Sequence, residues 1–127
     1  MQERHLFEYA VVRVVPRIER EEFMNAGVIL YCRQQKFLQT LLTLDEKRLC
    51  LFTANMDCTE LKKHLTAFER ICKGDAAAGP IAGLDVASRF RWLTATRSTM
   101  VQTSKVHSGL SADVVATLVQ LHAQLVL

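Results

Sequence analysis

The run from Leu6 to Val15 is apolar on both alternations and rich in valine, so it reads as a strand covered on both faces. Pro16 ends it, because proline cannot extend a ladder. The charged stretch from Arg17 to Glu22 is a solvent loop or short turn, and Phe23 to Cys32 is the next strand. Gly27 inside that strand marks a bulge or a close approach by another backbone. The polar residues Arg33 to Lys36 then lead into a third strand, Phe37 to Thr43. So short a polar connection makes a hairpin the simplest pairing.

Helical signals follow. Asp45 caps a short helix whose apolar residues are Leu49, Leu51 and Phe52. Asp57 and Glu60 form a capping-box-like start for a second helix, with the stripe Leu61, Leu65, Phe68 and Cys72, and Gly74 terminates it. The run Gly74 to Pro80 is linker-like but too short to separate domains. Asp85 opens a further turn or helix through Thr94, with Val86, Phe90 and Leu93 on one side. Thr99 to Thr103 is a short strand and Val106 to Leu110 a loop. Ser111 caps a closing helix, Ala112 to Val126, striped by Val114, Leu118, Leu121 and Leu125. The expectation is a single α+β domain over residues 1–127: a small antiparallel sheet of about three strands in the N-terminal half, packed by three to four helices.

Half of the 127 residues are hydrophobic and 23% are charged, as in an ordinary soluble domain. The longest unbroken apolar run, Ala26 to Cys32, is far short of a bilayer span. Glu3 and Glu8 sit where a signal peptide needs basic and apolar regions. Cys32, Cys50, Cys58 and Cys72 show neither a CxxC pair nor metal-ligand spacing, so they read as reduced, mostly buried thiols in a cytoplasmic protein. Cys58 stands out in the first turn of the second helix, where a thiolate is favoured. His5, His64, His107 and His122 lack HxxxH or HExxH spacing, which argues against a metal site. No glycine-rich phosphate cradle occurs, and no cofactor is implied.

Charge is informative by position. The net charge is +3, and residues 86–127 supply all of it: Arg89, Arg91, Arg97 and Lys105 against Asp113 alone, 4 − 1 = +3. Between Asp85 and Asp113 there is no acid, but there are nine hydroxyls: Ser88, Thr94, Thr96, Ser98, Thr99, Thr103, Ser104, Ser108 and Ser111. An anionic ligand or acidic partner meets least repulsion there. The structural reading of the same segment is a polar loop whose arginines pair with glutamates such as Glu19, Glu21 or Glu22. Arg13, in the middle of the first strand, needs a partner such as Glu8 or Glu22, or else floors an anion site. His107, beside Ser108 and Gly109, has the chemistry for acid–base work, without a GxSxG elbow or a triad order around it. Trp92 beside Arg91 could stack on a base, though packing on the sheet suits it better and no nucleic-acid module signature is present.

The segments YAVVRVVP (Tyr9 to Pro16), EFMNAGVILYC (Glu22 to Cys32), GPI (Gly79 to Ile81), SRFRWLT (Ser88 to Thr94), RST (Arg97 to Thr99) and VHSGL (Val106 to Leu110) occur in one order. Together they resemble the bacterial family catalogued as domain of unknown function 3037, from Tyr9 to about Val126. Ala26, Thr96, Lys105 and Ser108 depart from the Val, Pro, Pro and Thr of that pattern. The resemblance implies no activity, cofactor or catalytic residue. It does imply small bacterial proteins encoded beside HipA-like serine/threonine kinases, and so a kinase partner.

The leading expectation is therefore a non-catalytic interaction module that binds a protein partner through the basic, hydroxyl-rich segment 88–109. Arg13, Arg89, Arg91, Arg97, Ser98, Lys105 and His107 are its candidate anion- or partner-binding residues. The alternative is a small enzyme, or a binder of a phosphorylated or anionic metabolite, using Arg13, Arg97 and His107. Nucleic acid and membrane are not expected partners, and homo-oligomerisation is compatible with the sequence. Whether Arg13, Arg97 and His107 converge in space separates these expectations.

Overall fold

The computed structural model describes residues 3–53 and 58–127. Strand β1 (His5–Val14) lies in the middle of the sheet, with β2 (Met24–Cys32) antiparallel on one side and β3 (Phe37–Leu42) beyond it. On its other side β1 pairs antiparallel with two short strands, β4 (Val101–Thr103) and β5 (His107–Ser111). The order is β3-β2-β1-β4, with β5 continuing the β4 edge along the first half of β1. Helices α1 (Glu46–Phe52), α2 (Cys58–Lys73) and α3 (Val86–Leu93) follow the hairpin, and α4 (Val114–Leu125) closes the chain.

The α+β class stands, and β1 is covered on both faces as its double alternation requires. Ala10, Val12 and Val14 point to one face, where they pack with Leu49, Leu61, Leu65, Phe68, Phe90 and Leu93 from α1, α2 and α3. Phe7 points to the other, where it joins Val28, Leu30 and Cys32 under Val114 and Leu118 of α4. Gly27 proves to be both of the things its position suggested. Val12 pairs with Gly27 but Arg13 with Asn25, so Ala26 is one extra residue, a bulge. The bulge switches the alternation of β2, which lets Met24 and Ala26 share a face with Ile29 and Tyr31. A Cβ at Gly27 would lie 2.5 Å from the Leu41 carbonyl oxygen, a contact that only glycine avoids.

Three expectations need correction. The sheet has five strands among the described residues, because Val106 to Leu110 is not a loop: its end pairs with β1 as β5. Its polar composition hides a strand whose pairing is set by β1 rather than by its own pattern. Leu51 is 90% exposed while Leu49 is fully buried. Two residues along a helix are separated by roughly 200°, so the two leucines of this short helix cannot face one core. Ser111 does not cap α4. Asp113 does, accepting from the Ala116 N–H at 3.1 Å, while Ser111 Oγ accepts from the Asp113 N–H. The expected cap at Asp57 lies outside the described residues.

The remaining helix caps, helix stripe and helix stop agree with expectation. Asp45 and Asp85 cap α1 and α3, the stripe Leu61, Leu65, Phe68 and Cys72 is buried, and Gly74 ends α2 in the left-handed region at φ 75°. The linker-like stretch folds into two 3-10 turns, Ala76–Ala78 and Pro80–Gly83.

Candidate functional site

The sheet separates the residues of the proposed trio. Arg97 lies on the α2/α3 face, its guanidinium 4.2 Å from the Trp92 ring centroid and donating to the carbonyls of Trp92 and Ala95. Burial lowers its pKa from the ordinary arginine value, yet arginine stays charged. It thus closes the C-terminal end of α3, where carbonyls favour a cation. Arg13 projects to the opposite face, as does its cross-strand neighbour Asn25, which donates to the Leu125 carbonyl at the end of α4. His107 is on the α4 face too, its ring 5.3 Å from that of Tyr9, its partner across the ladder. Tyr9 and Arg13 are four residues apart on β1, about 13 Å along the strand. Among the described residues, Arg97 on one face of the sheet and Arg13 and His107 on the other do not meet in one pocket.

Arg13 has neither expected carboxylate. Glu8 is bound by Arg91 at 2.8 Å, and Glu22 by Arg20. The Arg13 guanidinium instead lies 4.0 Å from the Phe23 ring centroid, a cation–π contact, with its Nε buried and unbonded. Arg89 donates to the Leu84 carbonyl at 2.7 Å, and its guanidinium covers Gly74 at the end of α2. Glu19 is held by Arg17, so neither it nor Glu22 pairs with the acid-free segment. Several hydroxyls of that segment are likewise committed. Thr94 donates to the Phe90 carbonyl, Thr99 to that of Val101, and Ser104 to that of Lys105. Among the described residues, exposed Ser98 and Lys105 keep uncommitted polar heads.

Geometry instead singles out the outer edge of β5. Tyr9 to Val12 is three steps along β1, while the paired stretch His107 to Thr103 is four, so one extra residue bulges at Ser104–Val106. Ser104 builds the bulge: its N–H donates to the Val11 carbonyl at 2.9 Å, and its Oγ takes the Val11 N–H at 2.9 Å. Both backbone groups of Val11 therefore point toward this edge. Strand alternation then aims those of His5, Phe7 and Tyr9 the same way, at Ser111, Gly109 and His107. The backbone groups of Ser108 and Leu110 consequently point out of the sheet, and no described strand pairs with them.

Side chains finish the edge. Leu6 and Leu110 form a cross-strand pair on the α3 face and are 58% and 61% exposed. A groove of about 450 Å³, lined by Leu6, Glu8, Tyr31, Arg33, Ala87 and Arg91, adjoins them. Gly109 is required beneath Phe7, since a Cβ there would sit 2.7 Å from the ring. Lys105 and His107, both expected site residues, flank the edge and are exposed. Leu6 and Leu110 were not among the expected residues. The only sequence signal for Leu110 is an apolar residue isolated in a polar segment.

A family model described as protein of unknown function (DUF3037) matches residues 9–126, nearly the whole chain. No curated protein and no solved structure matches.

Proposed function

The chain belongs to the DUF3037 family, and we propose that it is a non-catalytic docking module that takes a strand from a protein partner at the outer edge of β5. One observation carries this reading: the unpaired backbone of Ser108 and Leu110 lies beside the exposed Leu6–Leu110 pair. An added strand gains main-chain hydrogen bonds from the first and an apolar row from the second. Lys105 and His107 then favour a partner segment with acidic flanks. The separation of Arg13, Arg97 and His107, and the use of Arg89, Arg91 and Arg97 as internal ties, support docking over catalysis or capture of a small anion. The HipA-like kinase that the family resemblance implies is the first partner to test. The free thiols of Cys32, Cys50, Cys58 and Cys72 suit a cytoplasmic setting, and no described helix is long and apolar enough to cross a membrane.

The experiment is capture of that kinase on immobilised wild type, Ser108→Pro, Leu110→Lys and Arg97→Ala. Proline at 108 removes an outward N–H without breaking a bond to β1. Ser108→Pro and Leu110→Lys should melt near wild type and lose the partner, while Arg97→Ala should keep it. Full capture by folded Ser108→Pro would overturn the edge as the docking site.

A further inference from the structure

We propose that Cys50 and Cys58 are a reversible redox pair, whose thiols a hydroperoxide converts to a disulfide tying α1 to the start of α2 and a dithiol reductant restores. The inference stands apart from the docking reading. Glu46 of α1 and Lys62 of α2 form an ion pair, Oε1 to Nζ 2.8 Å. Leu49 and Leu61 are fully buried in one core, which fixes the side of each helix that faces the sheet. From Leu49, Glu46 and Cys50 lie about 60° and 100° round α1; from Leu61, Cys58 and Lys62 lie about 60° and 100° round α2, in the same sense. Equal senses turn these faces toward each other only if the two helices run antiparallel. One turn, about 5.4 Å, beyond Glu46 on α1 is Cys50, and one turn before Lys62 on α2 is Cys58. Antiparallel axes carry both steps in one direction, so the thiols stand opposite each other, next to the ion pair.

The surroundings select this pair. Cys50 is exposed and Cys58 half-buried, whereas Cys32 and Cys72 are buried on opposite faces of the sheet. Cys58 opens α2 and the Lys62 ammonium lies one turn on, so positive charge flanks its sulfur. Lys62 is held above the ordinary lysine value, chiefly by its hydrogen bond to Glu46 and in smaller part by Cys58. Cys58 is therefore the attacking sulfur. As a thiolate it takes the outer oxygen of the hydroperoxide, displaces hydroxide or alkoxide, and becomes a sulfenic acid. The Cys50 thiol then attacks that sulfur, and the sulfenic hydroxyl leaves as water with the Cys50 proton. Two electrons pass from the sulfurs to the O–O bond, and a dithiol returns them by exchange. A disulfide needs Cα atoms roughly 4.4–6.8 Å apart. Closure therefore draws α1 against α2, which the short helix can follow because Leu49 is its one fully buried side chain among the described residues.

The test treats wild type with hydrogen peroxide near neutral pH, alkylates the unfolded chain and maps its tryptic peptides by mass spectrometry. Two of the four thiols should be lost, and dithiothreitol should restore them. Trypsin leaves both cysteines in the peptide Leu49 to Lys62, which should be lighter by two hydrogens and linked to no other. Leu51 is exposed and lies about 100° round α1 from Cys50. Leu51→Cys in a Cys50→Ser background therefore moves the thiol off the facing side without disturbing the core, and should close about tenfold more slowly or worse. Circular dichroism checks that the variant folds, and wild type alone decides the pair. Four surviving thiols, links between molecules only, or sulfinic acid at either cysteine without a link would overturn it. Closure by Leu51→Cys as fast as wild type would overturn the facing register.

Discussion

Ser104→Ala tests whether the bulge builds the edge. Ser104 is 8% exposed, and its Oγ accepts from the Val11 N–H and donates to the Lys105 carbonyl, both at 2.9 Å. Removing the hydroxyl orphans an N–H on the central strand, which costs about 1–3 kcal/mol where water cannot reach it. The Lys105 carbonyl belongs to an exposed residue and finds water, adding about 0.5–1 kcal/mol. The total is about 1.5–4 kcal/mol, or roughly 5–16 °C in melting temperature for a domain of this size. The chain cannot escape by pairing regularly, because a one-residue slip would send Leu110 to the α4 face and drive Gly109 from under Phe7. Urea unfolding followed by circular dichroism gives the energy, and hydrogen exchange at Val11 and Tyr9 locates it. Ser108→Ala, on the exposed side of the same edge, should stay within about 0.5 kcal/mol of wild type. An unchanged urea midpoint with unchanged Val11 protection would refute the role given to Ser104.

Arg13→Ala should cost about 1–2 kcal/mol by thermal melt, the scale of a partly buried cation–π contact plus the packed stem; a loss above about 4 kcal/mol would instead require a stranded buried carboxylate. Arg91→Ala should cost about 0.2–1 kcal/mol, and the loss should shrink in high salt, because the Arg91–Glu8 pair is part-exposed. Burial pushes the Cys72 thiol from its ordinary value of 9.0 up to about 12. The folded chain thus holds that proton where the unfolded chain loses it, so stability falls as pH rises from 9 toward 12; Cys72→Ala should flatten the slope of stability against pH across that window. Alkylation of the native protein at mildly alkaline pH should mark Cys50 and spare Cys72.

The sequence made β1, β2 and β3 legible because each carries its reason locally. Valine-rich double alternation, Pro16 and the short polar connection at Arg33–Lys36 act within a few residues. Helix starts at Asp45 and Asp85 were legible for the same cause, since a cap is satisfied three residues away. Strand β5 was not, because HSGLS has no β-branched run and becomes a strand only when β1 supplies its ladder. Its one telling residue, Gly109, owes its identity to the Phe7 ring, a neighbour about a hundred residues away.

The candidate site was half legible for a related reason. An acid-free segment announces itself by counting, and two of its residues, Lys105 and His107, lie exposed at the β5 edge. Counting cannot tell a free cation from one already spent. Arg91 goes to Glu8 from the other end of the chain, while Arg97 goes to carbonyls that the end of α3 exposes a few residues before it. Both sinks arise only on folding. The same holds for the hydroxyls: Thr94 and Thr99 satisfy nearby carbonyls that become acceptors once the turn between α3 and β4 is formed. After those internal demands are met, the outward backbone of Ser108 and Leu110 and the apolar surface of Leu6 and Leu110 remain. In the docking we propose, a neutral strand satisfies both, and the basic flanks steer its arrival rather than set how firmly it holds.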